Sequence, residues 1–226
     1  MKSKWLFVLF FVVLGFVALQ IPINYLEGSR VKFTLFDLFA PVFGALLGTG
    51  IGIISVFVIL AVNLVTHGFS GINTASPLTL AATLRFLPFI VGVYFFAKKE
   101  GKLLVIPALA IIAFNLHPVG RSVWFYSLFW VIPFLVWPFR ERFLLARALG
   151  TTMTAHAVGG AVWIWAFPTT ALFWTALIPI VILERSIFTL GISSSYILMN
   201  NVLAFLSSKK LLPRGILVSK KYLLRV

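Results

Sequence analysis

The stretch Phe33–Val65 reads FTLFDLFAPVFGALLGTGIGIISVFVILAVNLV. It is apolar almost throughout, interrupted by Asp37, Pro41, a series of small residues and Asn63. As one helix rising about 1.5 Å per residue it would reach ~50 Å, against a membrane hydrocarbon core of ~30 Å. A break is therefore expected. Gly48-Thr49-Gly50 is the place for it, because two glycines within three residues accept the backbone angles of a tight turn. The reading predicts two short helices, Thr34–Leu47 and Ile51–Val65, packed as a hairpin or arranged as a bent pair.

Within this stretch Ala40, Gly44, Gly48 and Gly52 recur every four residues. On a continuous helix they would line one side. In lipid, such ridges let helices approach closely where no hydrophobic force drives them together. Two uses fit: packing inside the molecule, or a smooth surface on which another membrane subunit docks.

The pattern T-L-x-D-x-x-x-P-x-x-G-A-L-L-G-x-x-x-G is carried by Thr34, Leu35, Asp37, Pro41, Gly44, Ala45, Leu46, Leu47, Gly48 and Gly52. It resembles the second and third helices of the substrate-binding S components of energy-coupling factor (ECF) vitamin transporters. That family shows a carboxylate, a proline, then A-G-x-L-x-G-P-x-x-G and an acidic residue near the end of the next helix. Here Gly48-Thr49 stands where the family has Gly-Pro, and Asn63 stands at the acidic position. The resemblance covers Phe33–Val65. It implies capture of a vitamin or similar small-molecule nutrient from outside, without a cofactor. It also implies partnership with a transmembrane coupling subunit and ATPase subunits encoded elsewhere.

Composition extends the membrane reading to the whole chain. Hydrophobic residues make up 61% and charged residues 11%, with a mean hydropathy of +1.08; a soluble domain carries about 25% charged residues. The expected fold is all-α, a polytopic integral membrane helical bundle of about six to eight transmembrane helices with a cytoplasmic N-terminus. Residues 1–208 are read as one transmembrane domain and 209–226 as a basic cytoplasmic tail, in a multi-pass protein of the cell membrane. The absence of cysteine excludes disulfides, thiolate metal sites and cysteine nucleophiles.

The net charge of +14 raises the question of nucleic acid. Its placement points elsewhere. Lys98, Lys99 and Lys102 form one cluster, Arg140, Arg142 and Arg147 another, and the tail carries Lys209, Lys210, Arg214, Lys220, Lys221 and Arg225. These flank apolar runs, as the positive-inside rule requires of cytoplasmic loops. Anionic membrane lipids, not nucleic acid, are the expected partners.

In chain order, Trp5 to about Leu26 is read as a retained first span bent or ended by Pro22, followed by an outer linker Glu27–Lys32. Thr66–Pro77 lacks lysine and arginine and is read as an outer loop. Leu78–Phe96 then returns inward, carrying Arg85 and Pro88. Leu103–Leu116 goes out, His117–Arg121 turns, Ser122–Phe139 comes back, and Ala148–Phe167 goes out again. Ala171–Leu206 exceeds one span, with Pro179, Glu184-Arg185 and Gly191 as places to bend. It is read as one crossing with a kinked or interfacial first half.

Polar groups at mid-membrane cost roughly 2.5–3.5 kcal/mol for Arg, Lys or Asp, so the few present are informative. Asp37, Arg121, Glu184 and Arg185 either cap, snorkel or pair. Arg85 faces a cavity or pairs with a carboxylate such as Asp37 or Glu184, or it snorkels. His156 shares a helix face with Thr152, Gly159, Gly160 and Trp163 at spacings of three, four and seven. An imidazole, small residues and an indole on one face suit a flat heteroaromatic ligand, or equally an internal packing surface. The expected substrate-binding set is Arg85, His156 and Trp163, with Asn63 and Asn200 as polar support. The expected partner-docking ridge is Ala40, Gly44, Gly48 and Gly52.

No P-loop and no H-E-x-x-H occurs, and the three histidines have no metal-ligand spacing. No catalytic residue, metal or cofactor is therefore expected. Two further readings stay open: a small integral membrane enzyme acting on lipid or isoprenoid substrates through His156 or Glu184, and a ligand-free scaffold.

Overall fold

The computed structural model describes residues 4–25, 32–68, 84 and 86–224. These residues are helical apart from turns, short connections and one two-stranded hairpin. They divide into two compact units, Met1–Lys98 with Gly191–Val226, and Lys99–Leu190. The first unit takes in the basic tail from residue 209 onward.

The first unit opens with α1, Lys4–Leu19, which ends before Pro22. Pro22–Tyr25 (β1) pairs antiparallel with Lys32–Thr34 (β2), a hairpin that the sequence reading leaves out. Residues 27–31 of the expected outer linker Glu27–Lys32, and Leu26 before it, lie outside the described residues. Thr34 then caps α2, Leu35–Leu47. Its backbone N–H and its hydroxyl both donate to Asp37 Oδ2, at 2.6 and 2.9 Å. Asp37 thus satisfies orphan donors of the first turn and places a negative charge at the positive end of the helix dipole.

Gly48 ends α2 at φ +90°, in the left-handed region that side chains disfavour, and α3 follows as Thr49–Asn63. The predicted break is present within two residues at each helix end. The two helices fold back on each other. A Cβ at Gly52 would lie 2.6 Å from the Gly44 Cα, so here the backbones themselves are in contact. Gly44 also receives Val93 and Ala97 of α4, Phe86–Ala97. The small-residue ladder is therefore split by the turn and does not line one helix. Ala40, Gly44 and Gly52 are buried in internal packing, and only Gly48 is part-exposed. Around them Phe11, Phe36, Phe39 and Phe43 interlock, with Phe39 and Phe43 edge to face at 4.7 Å.

The second unit starts with a 3₁₀ turn, Gly101–Leu104, and α5, Val105–Leu116. His117 caps the short α6, Pro118–Ser122, by accepting from the Val119 N–H at 3.2 Å through Nδ1. The expected span Ser122–Phe139 is not one α-helix. It runs as a 3₁₀ helix Trp124–Val131, α7 at Ile132–Val136 and a 3₁₀ turn Trp137–Phe139. Pro133 and Pro138 each sit at the start of a new segment, where the missing N–H costs nothing. Next comes α8, Leu144–Ala166, which begins four residues earlier than expected and takes in Arg147.

Helix α9, Ala171–Ser208, is continuous over 38 residues and belongs to the second unit up to Leu190 and to the first from Gly191. It does not end at Pro179, Glu184-Arg185 or Gly191. Gly191 is a packing position, where a Cβ would meet Leu38 Cδ1 at 2.6 Å.

Among the described residues two helices are long and apolar enough to cross a membrane, Thr49–Thr66 and Ala171–Ser208. The other apolar helices run from 10 to 17 residues. A helix of 16 residues such as α1 reaches only ~24 Å, short of the ~30 Å core. Among the described residues, helix length alone supports two of the expected six to eight transmembrane helices.

Candidate functional site

In the second unit the middle of α8 and the 3₁₀ helix Trp124–Val131 bring together an imidazole, an indole and a phenol. Trp130 donates its Nε1–H to His156 Nδ1 at 3.1 Å. An indole N–H can only donate, so Nδ1 carries no proton, and the neutral ring holds its proton on Nε2. That nitrogen lies 3.2 Å from Tyr126 Oη and donates to it. Tyr126 is left with its own O–H to give. Trp130 and Tyr126 are buried, while His156 keeps part of its surface accessible.

Local sequence explains the arrangement. Trp130 and Tyr126 are four apart in the run WFYSLFW, and both reach His156 from the 3₁₀ helix. Gly160, one helical turn after His156, makes room for the indole. A Cβ there would lie 2.5 Å from Trp130 Cζ2. The glycine-and-histidine face that suits a flat heteroaromatic ring does hold one, and it is the protein's own Trp130. Phe114 closes the group, edge to face with Trp130 at 5.0 Å and with Trp174 at 4.9 Å.

A second polar group lies in the same unit. Arg185 Nη1 donates to Thr152 Oγ1 at 3.3 Å, and Nη2 lies 3.4 Å from Glu184 Oε2. The guanidinium stacks over the Phe188 ring at 4.3 Å. Glu184, Arg185 and Thr152 are all buried, at 4%, 6% and 3% exposure. Thr152 and His156 stand one helical turn apart on α8, which makes the two groups neighbours. An ion pair taken out of water survives only when further hydrogen bonds and ring contacts share the charge, as Thr152 and Phe188 do here.

His156 is in this cluster. Trp163 is not: it packs on Phe167 with ring centroids 4.2 Å apart. Asn63 and Asn200 belong to the first unit. Asn63 Oδ1 accepts from Gln20 Nε2 at 3.1 Å. Asn200 clamps the tail, donating to the Ser219 carbonyl at 2.9 Å and accepting from the Ser219 N–H at 2.7 Å. Arg85 lies outside the described residues. Tyr126 and Trp130 were missed. The i, i+4 spacing of two polar-tipped aromatics opposite a glycine-histidine helix was the available signal. Among the described residues no three His, Asp or Glu side chains group to hold a metal ion.

The chain matches no protein-family model, no curated protein and no solved structure.

Proposed function

We propose that this chain is a multi-pass protein of the cell membrane that captures a small nutrient from outside and passes it to partner subunits, in the manner of an ECF-type substrate-binding component. The observation that carries the reading is an apolar exterior around an interior that holds polar and ionisable groups as well as apolar ones. Threonines 151, 152 and 154, Glu184, Arg185 and Asn200 are buried. Meanwhile Leu6, Phe10 and Val13 of α1, Ile54 of α3, and Leu109 and Ile112 of α5 are more than half exposed. Water punishes that arrangement and lipid rewards it. In a lipid-solvated chain, inward ionisable groups that converge are a binding-site hypothesis by default.

Helix length bears on how the chain sits. The short apolar helices match a bilayer through thinning, flanking residues and neighbours, while α9 crosses with tilt. The binding residues in this reading are Tyr126, Thr152, His156, Glu184 and Arg185. They offer a hydroxyl donor, a fixed imidazole, a cation and an anion to a small solute that carries both donors and acceptors. His156 acts through position, because both of its nitrogens are engaged. The capping box at Thr34 and Asp37 and the Gly44–Gly52 contact give the resembling motif a structural use inside the first unit, and they identify no partner.

The test is ligand binding by the purified chain in detergent, read by quenching of its tryptophans against a panel of vitamins. Saturable quenching by one compound, weakened at least tenfold in Arg185→Met, is expected. Silence across the panel from a folded sample contradicts the reading.

A further inference from the structure

Helix α9 ends in a Schellman turn. The Leu211 N–H donates to the Leu206 carbonyl at 2.8 Å and the Lys210 N–H to the Ser207 carbonyl at 2.9 Å. Lys210 takes φ +55°, in the left-handed region where helices usually place glycine. A lysine is thus kept at a position whose backbone disfavours any Cβ. From this turn the chain runs back across the end of the first unit where α2 stops. The Leu217 N–H meets the Leu46 carbonyl at 2.8 Å, and Asn200 and Asn201 hold the main chain at Ser219, Tyr222 and Leu224. Tyr222 packs edge to face on Tyr196 at 5.5 Å, while Pro213 and Ile216 are buried.

A main chain held at these points fixes which side chains face outward. Over residues 209–224 every exposed side chain is a lysine, an arginine or a leucine. Ser219 and Tyr222, the uncharged polar residues of the segment, are turned partly inward. Leu217 is 52% exposed between Arg214 and Lys220, and Leu224 is 65% exposed just beyond Lys220 and Lys221. Leu198, Val202 and Phe205, exposed on one face of α9 at spacings of four and three, run down to Lys209, whose Nζ lies 5.8 Å from the Phe205 ring centre. Cations interleaved with outward leucines suit an anionic lipid surface, where headgroup phosphates take the charge and the leucines enter the acyl boundary. Marking the cytoplasmic side of a membrane needs the charges alone. It requires neither the fixed path nor the leucines.

We propose that residues 209–224 form a preformed strap that binds the surface of an anionic phospholipid bilayer, with Leu217 and Leu224 at the acyl boundary and the lysines on the headgroups. The strap rests on the membrane reading above and not on nutrient capture.

The experiment uses the full chain, whose lack of native cysteine allows Leu217→Cys and Leu224→Cys each to carry an NBD fluorophore. Each is placed in nanodiscs of phosphatidylcholine, or of phosphatidylcholine with phosphatidylglycerol, and quenched with a doxyl-labelled lipid. Quenching at least threefold stronger in the anionic discs, lost in concentrated salt that screens the charges, supports the strap. Adding Lys220→Gln and Lys221→Gln should bring it down to the phosphatidylcholine level. Lys210→Gly should weaken it without lowering the melting temperature, since glycine takes the left-handed turn freely. Equal quenching in both discs, or quenching in anionic discs that salt and the lysine variants leave unchanged, overturns the proposal. So does shielded emission that the lipid quencher cannot reach, which would put protein on this surface. A chain that does not enter the discs overturns the membrane reading as well, whereas one that enters with unresponsive probes overturns the strap alone.

Discussion

At His156 both ring nitrogens are occupied, one accepting from the Trp130 indole and one donating to the Tyr126 hydroxyl. His156→Leu would leave the buried Trp130 N–H without its acceptor, at a cost of about 1–3 kcal/mol. We expect a lower melting temperature in detergent for His156→Leu, and partial recovery in His156→Gln, whose amide can accept and donate. An unchanged melting temperature in His156→Leu would show that these bonds contribute nothing. Of the expected face Thr152, His156, Gly159, Gly160 and Trp163, Thr152 meets Arg185, His156 meets Trp130 and Tyr126, and Gly160 makes room for the indole, while Trp163 packs on Phe167. The sequence could not show that the flat ring seated there comes from residue 130. A helical wheel orders the residues of one helix and is silent about which residue of another element fills the gap.

Elements were legible where composition leaves one option. Gly48 is such a case: two apolar helices must part somewhere, and only glycine takes φ +90° without strain. Ser122–Phe139 is the opposite case. Its aromatic run satisfies the hydropathy of an α-helical span, while Pro133 and Pro138 cut it into segments whose local geometry hydropathy does not encode. Pro179 and Gly191, read as places to bend, both lie inside α9, which continues through them. Both are breakers in isolation, yet a helix held by packing absorbs them, and Gly191 is needed so that Leu38 can approach.

Residues 209–226, the basic tail of the sequence, are tied down by Asn200 and Asn201. Asn201 donates to the Tyr222 carbonyl at 2.8 Å and accepts from the Leu224 N–H at 2.8 Å. The Leu217 N–H adds a bond to the Leu46 carbonyl at 2.8 Å. An Asn200→Ala, Asn201→Ala double variant should release this segment, with trypsin cutting at Arg214, Lys220 or Lys221 many-fold faster than in wild type. Equal cutting rates would show that the asparagines do not hold it.

The loop after α7 offers a pH test on the same scale. Burial raises the Glu141 carboxyl, but its hydrogen bond with Lys99 and the nearby Lys99, Arg147 and Arg140 charges outweigh this and hold it below the ordinary 4.5. A depressed carboxylate stabilises the fold above its unfolded value, and that stabilisation is lost as pH falls through the lower folded value. With the side chain 47% exposed, the pair contributes only about 0.2–1 kcal/mol. The melting-temperature difference between wild type and Glu141→Gln should be small near neutrality and vanish toward pH 3. A difference that grows on acidification would reverse the sign of this argument.

For the whole molecule, the all-α class followed from hydropathy and glycine placement, whereas the division into two units did not. The split falls between Lys98 and Lys99, within a basic cluster that looks uniform in sequence, and again at Gly191 inside a continuous helix. Neither point carries a change in composition. What composition carries, on the proposed reading, is the solvent: exposed leucines beside buried threonines suit lipid. The absence of native cysteine makes this directly measurable. Single cysteines at Lys102, Val119, Arg142, Thr169 and Lys210 can be labelled in intact cells and in inverted vesicles with a membrane-impermeant maleimide. The account predicts labelling of Val119→Cys and Thr169→Cys from outside only, and of Lys102→Cys, Arg142→Cys and Lys210→Cys from inside only. Labelling of all five from one face, or recovery of the chain in the soluble fraction, would contradict it.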